Sequence, residues 1–315
     1  MNPKWRHFLL RRLTRLVVVL AGLVIATFAL IHVVPGDPAR AIAGAQADQN
    51  AVERAREELG LNDPAYVQFG DYLSGLVRLD FGDSFETDEP VTKVISRSIG
   101  PTAELAAFGM AIILFVGIPL GLLGGALSQE GNRKFELGFS GLTGIMAALP
   151  DYLTATVLAL VFAVSLQWLP VAGAATLSAA ILPAIAIAVR PMAMVSRLVR
   201  IRTLDVLEQD YIRSARSKRL SPRALYGRHV APNALAAALS VAGIAFAALV
   251  GGAVIVEQVF ARPGLGTELV QGLLVKNYPV VQGIILTLGA AIVIVNAIVD
   301  ATLALVDPRT LEGEL

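Results

Sequence analysis

Nine arginines and lysines fall between Arg197 and Arg228, more than on any other segment that separates the apolar runs of this 315-residue chain. Seven of them lie in Ile201–Asn233, which contains TLDVLEQDYIRSARSKRLSPRALYGRHVAPN. Leu204, Leu207, Tyr211 and Ala215 recur there at helical spacing and are expected to share one face. Ser221 followed by Pro222 is a helix restart, an N-cap residue with proline at the first helical position. Two short helices joined by a tight turn must bury their apolar face, while the other face presents guanidinium and ammonium groups. Such groups can hold an acidic protein surface, or they can lie against anionic headgroups and fix topology. Spacing alone leaves both readings open.

Reactive chemistry is sparse elsewhere. There is no cysteine, and His7, His32 and His229 are scattered with no pair at ligand spacing, so no metal site is expected. No GxxxxGK[ST], HExxH or GxSxG occurs, so neither a phosphate-cradling loop nor those two hydrolase motifs are present. Asp151 falls near the middle of an apolar run, where an acid costs a few kcal/mol and faces protein or water. It is read either as a translocation-pathway acid that attracts an ammonium group, or as a structural side chain, capping backbone freed by Pro150 or neutral and hydrogen-bonded. Asn296 and Asp300 share a helical face, and Arg190 is placed near the inner end of its span; an Asp–Arg pairing or snorkelling accounts for such groups.

The elements that carry these residues are mostly membrane spans. The chain is 55% hydrophobic and 16% charged, with mean hydropathy +0.66, which points to a polytopic membrane protein. Leu16–Val34, Thr102–Leu127, Leu137–Leu166, Leu177–Val195, Ala234–Val256 and Val280–Val306 each reach the roughly 20 residues a spanning helix needs. Six spans put both termini on one side. That side collects 17 basic residues against 8 on the other, which places termini 1–15 and the basic loop 196–233 in the cytoplasm. Segment 35–101 is then extracytoplasmic, and 1–315 reads as a single transmembrane domain.

Segment 35–101 is not low-complexity. A turn is expected at PGDP, then an amphipathic helix from Asp48 to Leu59 bearing Val52, Ala55 and Leu59 and ended by Gly60. Tyr66, Phe69, Tyr72, Leu73 and Leu76 predict a second helix, and LDFGDSF a turn on the membrane surface. Within the spans, Gly117, Gly121 and Gly125 form a small-xxx-small stripe that lets helix backbones approach. Pro119, Pro150, Pro183 and Pro191 are expected to kink their helices.

The basic loop resembles the EAA-type cytoplasmic loop of ABC importer permeases, in the form found in the B-type permease of dipeptide, oligopeptide and nickel importers. Further segments match that subunit in order: LLRRL, VVPGDPA, LGLNDPAYVQFGDYLSGLVRLDFGDSF, VEQVFARPGLGTELVQGLLVKNYPVVQG and VDATLALVDPR. The resemblance covers nearly the whole chain and implies an all-α fold of six spans in a bacterial or archaeal cytoplasmic membrane. It also implies a homologous second permease, two ABC ATPase subunits that carry ATP and Mg, and an extracytoplasmic solute-binding protein, with no cofactor in this chain and no nucleic acid partner.

By the same resemblance, Arg213, Ser214 and Ala215 occupy the EAA triplet. Asp210 and Tyr211 precede it, and Arg216, Arg219 and Leu220 complete the ATPase-coupling loop. The family glycine that closes the turn falls at Arg219, where arginine lacks glycine's tolerance of positive φ. Either the turn is built differently, or Arg219 bears strain while reaching a partner acid. Glu257 matches an acid before the family's Phe-x-x-Pro-Gly turn, here Phe260, Pro263 and Gly264, and is read as holding the re-entrant turn Glu257–Tyr278. The competing expectation is a secondary transporter driven by an ion gradient, which would need midplane coupling acids and internal repeats; the chain shows one central acid and no clear repeat.

Overall fold

A computed structural model describes residues 3–33, 38–43, 47–58, 60–128 and 133–306 of the chain. The regular elements among those residues are helices, joined by turns and loops, apart from an isolated antiparallel bridge between Asp83 and Pro90. In order the helices are α1 Pro3–Val33, α2 Pro38–Ala43, α3 Gln49–Glu58, α4 Ala65–Val77, α5 Val91–Ile112, α6 Ile118–Ser128 and α7 Arg133–Ala148. Then come α8 Asp151–Leu158, α9 Ser178–Leu207, α10 Asp210–Ser217, α11 Pro222–Leu225, α12 Ala231–Val259, α13 Leu265–Leu274 and α14 Tyr278–Val306. Among the described residues, five helices are long and apolar enough to cross a membrane, or up to six if one bent pair counts as a span.

That pair corrects the expected third span. Arg133–Ala148 and Asp151–Ser165 meet at an angle of 99°, so Leu137–Leu166 is not one continuous helix. Pro150 takes an extended conformation (φ −62°, ψ 144°) and Asp151 stands in the first turn of α8. A proline breaks the ladder there and an acid at the new N-terminus suits the helix dipole. By contrast Pro183 and Pro191 lie inside the uninterrupted 30-residue α9. Pro119 and Pro232 follow short π-helical turns at Ile113–Gly117 and Tyr226–Val230, wider turns that relieve the clash of a proline ring with the preceding carbonyl.

Between the helices of a membrane bundle, close packing does more than apolar burial, so small residues decide which backbones meet. In α9, 67% of the most apolar window is buried, against 6% in α1 and 11% in α14; α9 is the core and the other two are peripheral. The glycine stripe of α5–α6 lies on α9. A Cβ on Gly121 would stand 2.6 Å from Val199 Cβ, and one on Gly125 2.5 Å from Thr203 Cβ. Ser196 Oγ donates to the Gly117 carbonyl at 2.8 Å, fastening α9 to the π turn. On the far side, Ile187 of α9 and Leu249 of α12 belong to the same apolar core as Leu105 and Ile113.

The segment before α5 contains the two expected helices. In α3, Val52 is buried and Gly60 ends the helix at φ 63°; Leu59, the side chain of Ala55, and most of the expected PGDP turn lie outside the described residues. Helix α4 packs on α1: Thr27 Oγ1 and Tyr72 OH are 3.0 Å apart, and Phe28 meets Phe69 edge-on at 5.0 Å. Burial pushes the Tyr72 phenol up, against the pull of the Thr27 hydrogen bond. The LDFGDSF turn reaches α14's base, where Asn277 Nδ2 donates to Ser84 Oγ at 2.8 Å and Asn277 Oδ1 accepts from Phe85 N at 3.1 Å. Helix α5 starts at Val91, well before the expected Thr102.

Candidate functional site

The basic segment folds as a helical hairpin between α9 and α12. Helix α9 ends at Leu207, and Gln209 (φ −71°, ψ 147°) caps the restart as α10. Ser221 Oγ accepts from Ala224 N at 3.3 Å, the N-cap bond the sequence predicts. The buried face is Leu207, Ile212 and Ala215, joined by Leu225 and Val230, with Leu122 of α6 packed against them. Two members of the expected face are therefore displaced: Leu204 is half-buried and Tyr211 is 45% exposed. The break at Glu208–Gln209 resets the helical phase, so periodicity counted across it selects the wrong residues. Tyr211 still holds the hairpin, since its hydroxyl accepts from Asn233 Nδ2 at 3.3 Å, tying α10 to the start of α12.

The outward face carries Asp210, Arg213, Ser214, Arg216, Ser217, Lys218, Arg219 and Leu220, all exposed. Arg213 Nη1 meets Asp210 Oδ1 at 3.2 Å, an exposed pair that contributes within about 1 kcal/mol. Arg219 sits at φ 55°, and its N–H closes the turn on the Arg216 carbonyl at 2.9 Å. Of the two expectations for Arg219, the geometry is the strained one: the left-handed turn is kept without glycine, at a cost of about 1–3 kcal/mol. Behind the hairpin, Arg200 of α9 donates to Ser128 Oγ at 3.0 Å and to Glu136 Oε1 at 2.8 Å, and stacks over Phe139. The hairpin is thus bolted to α6, α9 and α12 at once, while its basic surface faces outward.

Asp151 lies where α8, α9 and α12 meet. Its Oδ1 is 3.8 Å from Arg190 Nε, and a Cβ on Gly252 would come within 2.9 Å of its Oδ2. Arg190 is in the middle of α9, not near its end, and its side chain is 44% exposed. It pairs with Asp151 and not with Asp300, which instead meets Arg12 Nη1 at 2.7 Å. Sequence spacing could not find either pair, because each joins two different helices and depends on how those helices pack.

Glu257 is fully buried at the other end of α12. Its carboxylate accepts from Thr102 Oγ1 at 2.6 Å, Gly266 N at 2.8 Å and Thr267 N at 3.2 Å. Thr102 Oγ1 in turn accepts from Leu265 N at 2.8 Å. A Cβ on Gly264 would collide with the Glu257 carboxylate, so the turn closes around the acid and no side chain fits at that glycine. Arg262 is also buried, with Nη2 donating to Glu104 Oε2. A buried carboxylate costs several kcal/mol unless it is hydrogen-bonded, and these donors supply that. Glu257 is a structural clamp between α5 and the α12–α13 turn, as its expected role requires.

Comparison with known proteins places the chain. The family described as "Binding-protein-dependent transport system inner membrane component" matches residues 117–312, and the N-terminal model of the same system matches residues 5–106. A Brucella suis protein named as a peptide transport system permease is 38% identical over 309 residues, covering 96% of this chain and 98% of that protein. A dipeptide transport system permease protein of Alkalihalophilus pseudofirmus is 32% identical over 330 residues, covering 96% and 98%. A glutathione transport system permease protein of Escherichia coli is 33% identical over 302 residues, again covering 96% and 98%.

Proposed function

We propose, from the premise that this chain belongs to the family of binding-protein-dependent transport system inner membrane components, that it is driven by a motor gripping its basic hairpin. The chain is a permease subunit of an ATP-binding-cassette importer, a transport component and not an enzyme, and peptides are its solute class. Two ATPase subunits supply ATP and Mg chemistry, a homologous permease completes the pathway, and an extracytoplasmic binding protein delivers solute. Segment 35–101 faces that protein, both termini are cytoplasmic, and 196–233 is the coupling element.

One observation carries the coupling reading. The hairpin's apolar face is locked to α6, α9 and α12, while Arg213, Arg216, Lys218 and Arg219 are presented outward. A rigid element shared by three core helices passes displacement on without deforming. Solvated basic groups suit an acidic cleft on a partner. ATP-driven closure of the motors moves the hairpin, and the docked state must differ between inward- and outward-facing forms for that to shift the equilibrium. Asp151 lines the pathway beside the half-exposed Arg190, where a mid-helix charge faces water or protein and not lipid.

The test is uptake against ATP hydrolysis in the assembled complex. Tyr211→Ala or Arg216→Glu leaves insertion intact and uncouples hydrolysis from transport. Normal transport by both variants at normal expression contradicts the assignment.

A further inference from the structure

Helix α9 is the most enclosed of the five continuous spans, yet one stripe of it is open. Between Leu182 and Val199 only Met194 and Arg197 are exposed outright, and the Arg190 side chain is half-exposed. Ile201, exposed as well, continues the series, and the spacing 190, 194, 197, 201 puts all four on one helical face. Another face is closed by the α6 glycines, with Gly121 against Val199 and Gly125 against Thr203. At its end away from the hairpin the stripe meets Asp151 of α8. The Asp151 Oδ1 lies 3.8 Å from Arg190 Nε, too far for a hydrogen bond, so neither group is locked to the other. Among the described residues no ion pair holds Arg197. Its charged neighbours on α9 are engaged elsewhere: Arg200 meets Glu136 at 2.8 Å, and Arg202 meets Asp205 at 3.5 Å.

We propose that this stripe guides the C-terminal carboxylate of a peptide solute, held first by Arg190 and then by Arg197. The proposal rests on the reading of Asp151 as a pathway residue and adds the solute group that the neighbouring arginines take. An arginine at mid-span is costly against lipid, so the face that carries Arg190 meets water or protein. Guanidinium offers a fork of donors that matches a carboxylate, and the loose Asp151 contact leaves those donors available. Asp151 beside Arg190 supplies the opposite charge, so a zwitterion finds both its partners at one level. Seven residues of helix separate the two arginines, a rise of about 10 Å, or about three residues of extended chain. Met194 and Ile201 alternate with them, and the pliable thioether suits solute side chains of differing shape. Solvated ion pairs are weak, so the carboxylate moves on and is not trapped.

The chain has no cysteine, so a single introduced thiol reports on the stripe. In the assembled complex in nanodiscs, Met194→Cys reacts with charged methanethiosulfonates. After correction for their rates with free thiol, the anionic sulfonatoethyl reagent is faster than the cationic trimethylammonium reagent by about fivefold. Arg197→Gln, which breaks no ion pair, removes most of that preference, and Arg190→Gln removes more. Should Arg190→Gln misfold for want of its contact with Asp151, Arg197→Gln alone decides. Millimolar trialanine slows the labelling several-fold, and trialanine amide, which lacks the carboxylate, does not. Labelling by neither reagent sets the stripe against lipid or protein and overturns the pathway reading of Asp151 together with this one. Labelling without preference for the anion, a preference that survives Arg197→Gln, or protection by trialanine no greater than by its amide overturns the carboxylate guide alone.

Discussion

The Thr102 hydroxyl donates to the Glu257 carboxylate at 2.6 Å and accepts from the Leu265 amide at 2.8 Å, so one side chain of α5 links both walls of the α12–α13 turn. Glu257→Ala strands three donors in a buried site and is expected to destabilise the protein by about 1–3 kcal/mol. Thermal unfolding in detergent measures this, and Glu257→Gln, which keeps an acceptor oxygen, should lose less. An unchanged unfolding temperature in the alanine variant would remove the clamp.

Arg219 at φ 55° tests how the hairpin turn is held. Arg219→Gly is expected to relieve about 1 kcal/mol of backbone strain and to raise amide-exchange protection across α10. Arg219→Val, β-branched at the same φ, lowers protection. If both variants exchange like the parent, the left-handed turn is not strained. Loss of ATPase binding in the glycine variant despite higher protection would show that the guanidinium itself contacts the motor.

Gly121→Leu drives a side chain into Val199 and the Ser196 carbonyl of α9. It should cost about 1–3 kcal/mol through overpacking, or abolish accumulation in the membrane. Gly138→Ala, with nothing within 4 Å of the new methyl, should be tolerated. Equal behaviour of the two variants would deny that the glycine stripe sets the α6–α9 contact.

Asp151→Asn keeps a polar residue at the start of α8 and removes the charge that faces Arg190. Uptake of a peptide with a free ammonium terminus should fall several-fold while insertion persists. The same peptide with a blocked terminus should be affected less. Equal rates for both peptides in parent and variant would leave Asp151 only its role at the helix start.

Sequence patterns disclosed the spans and the hairpin because both are written locally, in apolar run length and in the Ser-Pro restart. The Gly117, Gly121 and Gly125 stripe was legible for the same reason, since one face of one helix suffices to see it. The partners of charges were not. Arg190 with Asp151 and Arg12 with Asp300 depend on which helices adjoin, and nothing in the spacing of either pair encodes that. Proline was an ambiguous sign: Pro150 ends a helix while Pro183 and Pro191 sit inside one. The distinguishing mark is the acid after Pro150, which suits a new N-terminus. Ile212 was missed because the phase slip at Glu208–Gln209 rotates α10 relative to α9.

The coupling role of the hairpin is tested most directly by proximity. A photo-cross-linker placed at Ser214 or Ser217, on the exposed face, should capture an ATPase subunit in native membranes. The yield should change when nucleotide is bound. Capture of lipid alone from both positions, in membranes where the ATPases are present and active, would contradict the account.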